Sequence, residues 1–138
     1  MNRRVTIGLL FTLALASCTG APSEGPILAG EWSPAKAQLS GVDFPVSNFG
    51  GVNLKLTSDT YDFAGDKGTY TLLGTEVPAK MDIVGEEGPN AGRAIPAIYT
   101  LNGTELTICY QLGTGERPTE FISPLGSKVL LVTYKQAP

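Results

Sequence analysis

The segment 115–121, GERPTEF, places two carboxylates and a guanidinium around a proline. Paired carboxylates such as Glu116 and Glu120 are the residues with which glycosidases carry out acid/base catalysis. Four residues of extended chain span about 13 Å, however, and the surrounding sequence offers no third group to complete such a site. The spacing therefore argues against catalysis by this pair.

A structural role explains the same segment with fewer assumptions. Pro118 cannot donate a ladder hydrogen bond, which is typical of the start of a strand. We expect Arg117 to pair with a carboxylate or to cap backbone carbonyls, and Phe121 to enter the core. A contact between Arg117 and a ligand remains the alternative.

Other reactive side chains are sparse. The chain contains no histidine, which removes the usual base and metal ligand from serine, cysteine and zinc chemistry. Cys109 lies within an apolar run without a basic neighbour, so we interpret it as a small core residue. Asp59, Asp62 and Asp66 do not match the spacing of a calcium-binding EF-hand loop and are typical of a solvated turn. We predict no enzyme activity, no metal and no cofactor.

The N-terminus has the pattern of a secretory signal. Residues 1–17 carry Arg3 and Arg4, then an apolar run over 5–16 that is too short to span a membrane. The sequence before Cys18, Leu-Ala-Ser, resembles the lipobox of bacterial lipoproteins. This resemblance implies cleavage before Cys18 and acylation of that cysteine. Residues 18–29 are then predicted to be a lipidated tether.

Localisation and charge follow from this interpretation. Several acyl chains on one residue anchor a protein firmly to a bilayer. Thr19, which is not aspartate, implies outer-membrane rather than inner-membrane sorting, by resemblance to lipoproteins of bacteria with two membranes. Without Arg3 and Arg4 the chain has 8 Lys and Arg residues against 13 Asp and Glu, a formal charge of −5. Such acidity argues against nucleic-acid binding.

The remaining residues, 30–138, are predicted to form one all-β domain. Gly, Pro, Asn and Asp recur every 8 to 12 residues between short runs rich in Val, Ile, Thr, Tyr and Leu. The clearest hairpin covers 97–111, where Asn102-Gly103 predicts a type I′ turn. A helical turn is predicted near 45–49. The other predicted strands cover 30–40, 52–56, 60–63, 68–73, 79–84, 119–122 and 128–135.

Alternation along the strands assigns side chains to faces. Leu106, Ile108 and Tyr110 share one face of their strand, and Cys109 lies on the other. The run over 128–135 is almost continuously apolar, which indicates a strand buried on both faces or at the seam of a barrel. Six aromatic residues are candidates for the barrel interior: Trp32, Tyr61, Phe63, Tyr70, Tyr99 and Tyr110.

Two resemblances make the fold more specific. Gly30-Glu31-Trp32 resembles the Gly-x-Trp start of lipocalin barrels, which implies that Trp32 closes the barrel base and that Lys135 packs over its ring. The chain also resembles a lipocalin-like domain family of unknown function found in planctomycete proteins. The matching segments are 28–45 (LAGEWSPAKAQLSGVDFP), 67–72 (KGTYTL), 78–110 (PAKMDIVGEEGPNAGRAIPAIYTLNGTELTICY), 115–121 (GERPTEF) and the closing LLVTYK.

Together these observations predict an all-β, lipocalin-like antiparallel barrel of eight to nine strands behind a lipoprotein signal peptide. The expected function is binding of a small apolar or amphipathic ligand in the barrel, with Arg117, Tyr99 and Tyr110 as the contacting residues. The alternative is a filled barrel whose outer surface meets a protein or cell-wall partner. An interior of several hundred Å³ favours the first function, and a packed interior with an exposed apolar patch favours the second.

Overall fold

Nine strands and one short 3-10 helix make up the part of the chain that the computed structural model describes, residues 27–74 and 76–138. The signal peptide, Cys18 and most of the tether lie outside the described residues. In order, the elements are β1 (Gly30–Leu39), β2 (Val42–Asp43), η1 (Val46–Phe49), β3 (Leu54–Leu56), β4 (Thr60–Phe63), β5 (Asp66–Leu73), β6 (Ala79–Glu87), β7 (Ala94–Asn102), β8 (Glu105–Gln111) and β9 (Val129–Gln136).

The strands close into a barrel. Antiparallel pairing runs from β1 to β3 and then in chain order to β9, and β9 pairs back with β1 over most of its length. Eight strands therefore form the closed barrel, while β2 is an extra strand that pairs with the last two residues of β1. The predicted all-β antiparallel barrel of eight to nine strands is confirmed. The sequence allowed the last strand to be buried on both faces or to lie at the barrel seam, and the pairing of β9 with β1 supports the seam. Among the described residues no helix is long and apolar enough to cross a membrane.

The predicted hairpin is present, but its turn differs from the prediction. Asn102 pairs with Glu105, so the two turn residues are Gly103 and Thr104. Of these two, only Gly103 has a positive φ, 64°, which fits a II′-type turn rather than I′. Two-residue turns in which both φ values are positive occur elsewhere, at Ser40-Gly41 (57° and 81°) between β1 and β2 and at Ala64-Gly65 (57° and 90°) between β4 and β5.

The strand predicted over 119–122 is wrong. These residues belong to the long connection between β8 and β9 and have no ladder partner. Pro118 accordingly does not start a strand. The connection, residues 112–128, folds back over the outside of the barrel, and we call it the outer strap.

The outer strap covers a second, smaller core. Ile98, Cys109 and Val129 form this cluster on the outer face of β7, β8 and β9, and Phe121 packs against it. Cys109 is fully buried there, with its Sγ 3.6 Å from the carbonyl oxygens of Glu120 and Ile122. Cys109 is buried as predicted, whereas Phe121 is only half-buried against the cluster, and both lie outside the barrel wall.

The main core lies inside the barrel, and Trp32 and Leu28 belong to its part at the end where β1 begins and β9 ends, which we call the closed end. Trp32 is 2% exposed and its Nε1 donates a hydrogen bond to the Leu28 carbonyl at 2.9 Å. The predicted burial of Trp32 is confirmed. Leu28, which the sequence assigns to the tether, is also 2% exposed, so the folded domain begins before residue 30.

The opposite end, which we call the mouth, is partly covered by the segment between β2 and β3. Three phenylalanine rings contact one another at the mouth. The centroids of Phe44 and Phe49 lie 5.3 Å apart with the rings tilted, and those of Phe49 and of Phe63 on β4 lie 5.5 Å apart, edge to face. The predicted helical turn near 45–49 is η1 itself. Because η1 carries Phe49 over the barrel, it forms part of the mouth.

Candidate functional site: a cavity in the barrel

A cavity of about 140 Å³ lies between the core at the closed end and the mouth. Its walls are mainly apolar, and alternation along the strands points these side chains inward. The apolar lining residues are Phe49, Leu54, Leu56, Phe63, Met81, Ile83, Ile95, Ile108, Leu112 and Leu130. The volume is close to that of an engineered apolar protein cavity of about 150 Å³ that binds benzene. It therefore suits a ligand built around a single ring.

Six lining residues carry polar atoms: Tyr61, Asp66, Tyr70, Asn90, Tyr110 and Tyr134. They form two groups and one isolated hydroxyl. The Tyr70 hydroxyl is occupied, since it donates a hydrogen bond to the Thr57 carbonyl. The other two groups are those that a ligand would meet.

The first group centres on the Asp66 carboxylate, at the start of β5. Its Oδ1 accepts a hydrogen bond from the Tyr61 hydroxyl at 3.3 Å, and its Oδ2 accepts one from Asn90 Nδ2 at 2.6 Å. A carboxylate has about four lone-pair sites, so these two bonds leave it able to accept more. Asp66 is the one charged side chain on the cavity wall within the described part of the chain.

The loop between β6 and β7 holds Asn90 in place. The Gly85 amide donates to the Arg93 carbonyl at 2.9 Å, and the Gly92 amide donates to the Gly85 carbonyl at 2.8 Å. A Cβ at Gly85 would lie 1.9 Å from the Asn90 carbonyl oxygen, so this close approach requires glycine. The loop backbone thereby sets where the Asn90 amide meets Asp66.

The second group is a pair of tyrosine hydroxyls. Tyr110 on β8 and Tyr134 on β9 place their hydroxyl oxygens 2.7 Å apart. One proton of the two lies between these oxygens, and the other has no acceptor among the residues of 27–74 and 76–138. The pair can therefore both donate to a ligand and accept from it.

Burial changes the acidity of these phenols. Removal from water raises the pKa of Tyr110 and of Tyr134 well above the usual value, and in Tyr110 the neighbouring Tyr134, Tyr61 and Asp66 raise it further. Burial, followed by the charge of Asp66, raises the pKa of Tyr61 to about 12. All three hydroxyls consequently keep their protons at neutral pH, which makes them hydrogen-bond donors rather than bases.

A cation lies at the rim of the mouth. Arg93 is exposed; its Nη1 donates to Asn90 Oδ1 at 3.0 Å and its Nη2 donates to the Leu112 carbonyl. Because Asn90 and Leu112 line the cavity from different loops, Arg93 ties the β6–β7 loop to the outer strap. Its guanidinium is outside the lining.

The predicted ligand-contacting residues separate in the structure. Tyr110 lines the cavity. Tyr99 is buried in the core but is not on the cavity wall. Arg117 does not face the interior at all, and its position fits the structural interpretation.

Arg117 lies on the outer face of β6 and β7. Its Nη1 donates to the carbonyls of Met81 and Ala97 at 2.9 and 3.0 Å, and its Nη2 pairs with Asp82 Oδ1 at 2.6 Å. These are the carboxylate and backbone partners that the sequence suggested. The outer strap is thus fixed to the barrel by Arg117 and Phe121.

Lys135 does not pack over Trp32. It is exposed and follows the inward-facing Tyr134, so alternation directs it away from the interior that holds Trp32. No cation–π contact of Trp32 is found in the described part of the chain. Gly30 begins β1 with a φ of 142°, which favours glycine. A Cβ at this position would meet nothing within 4 Å, so steric crowding is not the reason for the glycine.

Three site residues escape the sequence interpretation: Asp66, Asn90 and Tyr134. Asp66 resembles its solvated neighbours Asp59 and Asp62, and only the turn at Ala64-Gly65 places it at the start of an inward-facing pattern. Tyr134 had a usable signal, since it lies two residues after Val132 and so shares its inward face of β9. Asn90 sits in a loop, where no periodicity indicates direction.

The arrangement presents both hydrogen-bond donors and acceptors to a ligand inside the barrel. Within the two described ranges, no three Cys, Asp or Glu side chains are grouped as metal ligands would be. Burial raises the pKa of the Cys109 thiol to about 11, which disfavours the thiolate.

In comparisons with known proteins, no family model, no curated protein and no solved structure matches the chain. Any inference about function therefore rests on the geometry and lining of the cavity.

Proposed function

We propose that this chain is an envelope-anchored, lipocalin-like module that binds one small apolar or amphipathic ligand inside its barrel. The observation that carries the proposal is the cavity itself, about 140 Å³, with apolar walls and a few convergent polar groups. Ligand sites in proteins have this composition, in which apolar walls supply affinity and polar groups fix orientation. The cavity is smaller than the several hundred Å³ that would favour this function most clearly, so the proposed ligand is limited to about the size of a single ring.

The anchoring part of the proposal depends on the N-terminal pattern. The lipobox-like residues before Cys18 support acylation, and Thr19 supports outer-membrane sorting. In this proposal the acyl chains on Cys18 bind the protein to the membrane. Neither catalysis nor nucleic-acid binding is part of the proposed function.

Isoleucine methyl NMR tests ligand binding directly, because isoleucines lie on both sides of the barrel wall. Ile83, Ile95 and Ile108 line the cavity, whereas Ile98 lies under the outer strap and Ile122 is 52% exposed. Benzyl alcohol, a probe of single-ring size, is expected to shift the first three methyl signals in a saturable way. The signals of Ile98 and Ile122 serve as internal controls and are expected to stay in place.

A surface function is the second candidate, because one apolar patch is exposed. Val42, Ile122 and Leu125 are 60%, 52% and 85% exposed. They belong together, since the Gly41 amide donates to Ser123 Oγ at 2.9 Å and Gly41 packs against the Leu125 backbone. If benzyl alcohol leaves Ile83, Ile95 and Ile108 unshifted, the cavity is not a site for such ligands, and cross-linking at this patch becomes the next experiment.

A further inference from the structure

The charge inside the cavity narrows the class of ligand. Asp66 is half-buried and lines the wall, and no Lys or Arg of the described residues shares that wall. A ligand carboxylate or phosphate would be brought beside this carboxylate without a cation to compensate. A fatty acid or other anionic amphiphile is therefore disfavoured.

We propose that the cavity selects an organic ammonium compound of about single-ring size, whose nitrogen pairs with Asp66. This inference rests on the proposed function and specifies its ligand. The Asp66 carboxylate accepts two hydrogen bonds, from Tyr61 and Asn90, and retains lone pairs for a third partner. An ammonium group supplies three N–H donors and a charge of the opposite sign.

The remaining polar and aromatic groups suit the same ligand. The hydroxyl oxygens of Tyr110 and Tyr134 can accept further N–H donors from a nitrogen near Asp66. Aromatic rings of Phe49, Phe63 and Tyr61 share the cavity wall, and ring faces attract cations. The apolar lining then covers the body of the ligand.

The cations near the mouth do not reverse this preference. Arg93 and Lys67 are both exposed, where water screens their charges. Arg93 also directs two donors to Asn90 and Leu112, so it orients the amide that meets Asp66. Glu86 near Tyr61 is exposed as well, so its charge is screened in the same way and Asp66 remains the charge on the cavity wall.

Three probes of equal ring size test the inference on the intact chain: benzylamine, benzyl alcohol and benzoate. Affinities come from titrations of the Ile83, Ile95 and Ile108 methyl signals at neutral pH. We expect benzylamine to bind about tenfold to a hundredfold more tightly than benzyl alcohol, since charge-assisted hydrogen bonds are worth this much, and benzoate to bind most weakly. Asp66→Asn, which keeps the size of the side chain, is expected to reduce the benzylamine advantage to about one.

Asp62→Asn is the matched control. Asp62 lies in the same hairpin on the outer side of the wall, where its Oδ1 accepts the Gly65 amide, and this variant should keep the benzylamine preference. If benzyl alcohol binds while benzylamine shows no advantage, or if Asp66→Asn keeps that advantage, the inference is overturned and ligand binding stands. If no probe shifts the interior methyls, both proposals fail. Tighter binding of benzoate would instead assign selection to Arg93 and also overturn the inference.

Discussion

At the scale of single residues, folding lowers the acidity of the tyrosine hydroxyls. The chain has five tyrosines, and all five have a pKa above the usual value because burial disfavours the phenolate. In Tyr61 and Tyr110 the charge of Asp66 adds to this effect. Hydroxyls that stay protonated remain donors throughout the neutral and mildly alkaline range.

These shifts predict a loss of stability in alkali. The folded chain keeps phenolic protons that the unfolded chain releases above about pH 10, so the tyrosine contribution to the free energy of unfolding is fully retained below that pH and is lost as pH rises further. The fall continues through the folded pKa of Tyr61, about 12, and Cys109, at about 11, contributes from about pH 9 upward. Phenolate absorbance should therefore stay low at pH 10 and rise together with the loss of β-sheet circular dichroism.

The urea-unfolded chain is the control for that titration, and it should ionise its tyrosines near pH 10. Phenolate formation at pH 10 with the circular dichroism spectrum unchanged would contradict the burial of these hydroxyls.

Trp32 is expected to contribute strongly to stability at the closed end. Its ring is 2% exposed and its Nε1 is bonded to the Leu28 carbonyl, so Trp32→Ala removes both packing and a hydrogen bond. We expect the free energy of unfolding in urea to fall by about 3 to 5 kcal/mol. Trp32→Phe keeps part of the packing and should lose less. A loss under about 1 kcal/mol for Trp32→Ala would mean that this end does not depend on the ring.

At the scale of elements, the outer strap distinguishes this barrel from a plain antiparallel sheet closed on itself. Arg117 holds it to β6 and β7, Phe121 packs on the outer cluster, and Ser123 Oγ donates to the Val129 carbonyl at 2.8 Å. At its far side, the Gly126 amide donates to the Ser40 carbonyl at 3.2 Å. The strap thus connects the barrel wall to the β1–β2 turn and, through Arg93 and Leu112, to the mouth.

Thiol reactivity measures whether the strap stays closed. In a Cys18→Ser chain, Cys109 is the single thiol, and the strap buries it completely. Phe121→Ala is expected to raise its reaction rate with an aromatic disulfide reagent by about tenfold or more at pH 8, because the cover over the cluster is weakened while the barrel remains. The matched control is Phe44→Ala at the mouth, which should leave the rate unchanged.

An equal rate in the Phe121→Ala and Phe44→Ala chains would show that Cys109 is reached by opening of the barrel rather than of the strap.

Some elements could be predicted from the sequence and others could not. Strand 60–63 and the helical turn at 46–49 were predictable because alternation and turn residues are local signals. Residues 119–122 of the strap were wrongly predicted as a strand, since the course of the strap depends on contacts of Arg117 and Phe121 with residues distant in the chain. Asp66 was missed for a related reason: the direction of a residue beside a turn depends on the register of the whole β4–β5 pair.

At the scale of the whole molecule, the barrel has two different ends. Trp32 and Leu28 close the end where the described chain begins, whereas Asp66 and Asn90 lie toward the other end. The first described residue, Ile27, lies next to Leu28 at the closed end, so the chain enters the described barrel at the end opposite the mouth.

This arrangement predicts that anchoring and ligand binding are separable. Cys18→Ser should abolish incorporation of radioactive palmitate and release the chain from membranes, because the acylated sulfur is lost. The same variant should bind benzyl alcohol with unchanged affinity, since Cys18 precedes the described barrel and its cavity. Ser17→Ala is the control, as a small residue next to the cysteine should still allow acylation. Continued palmitate labelling of the Cys18→Ser chain would overturn the lipoprotein assignment, and weakened binding would show that the anchor region takes part in the site.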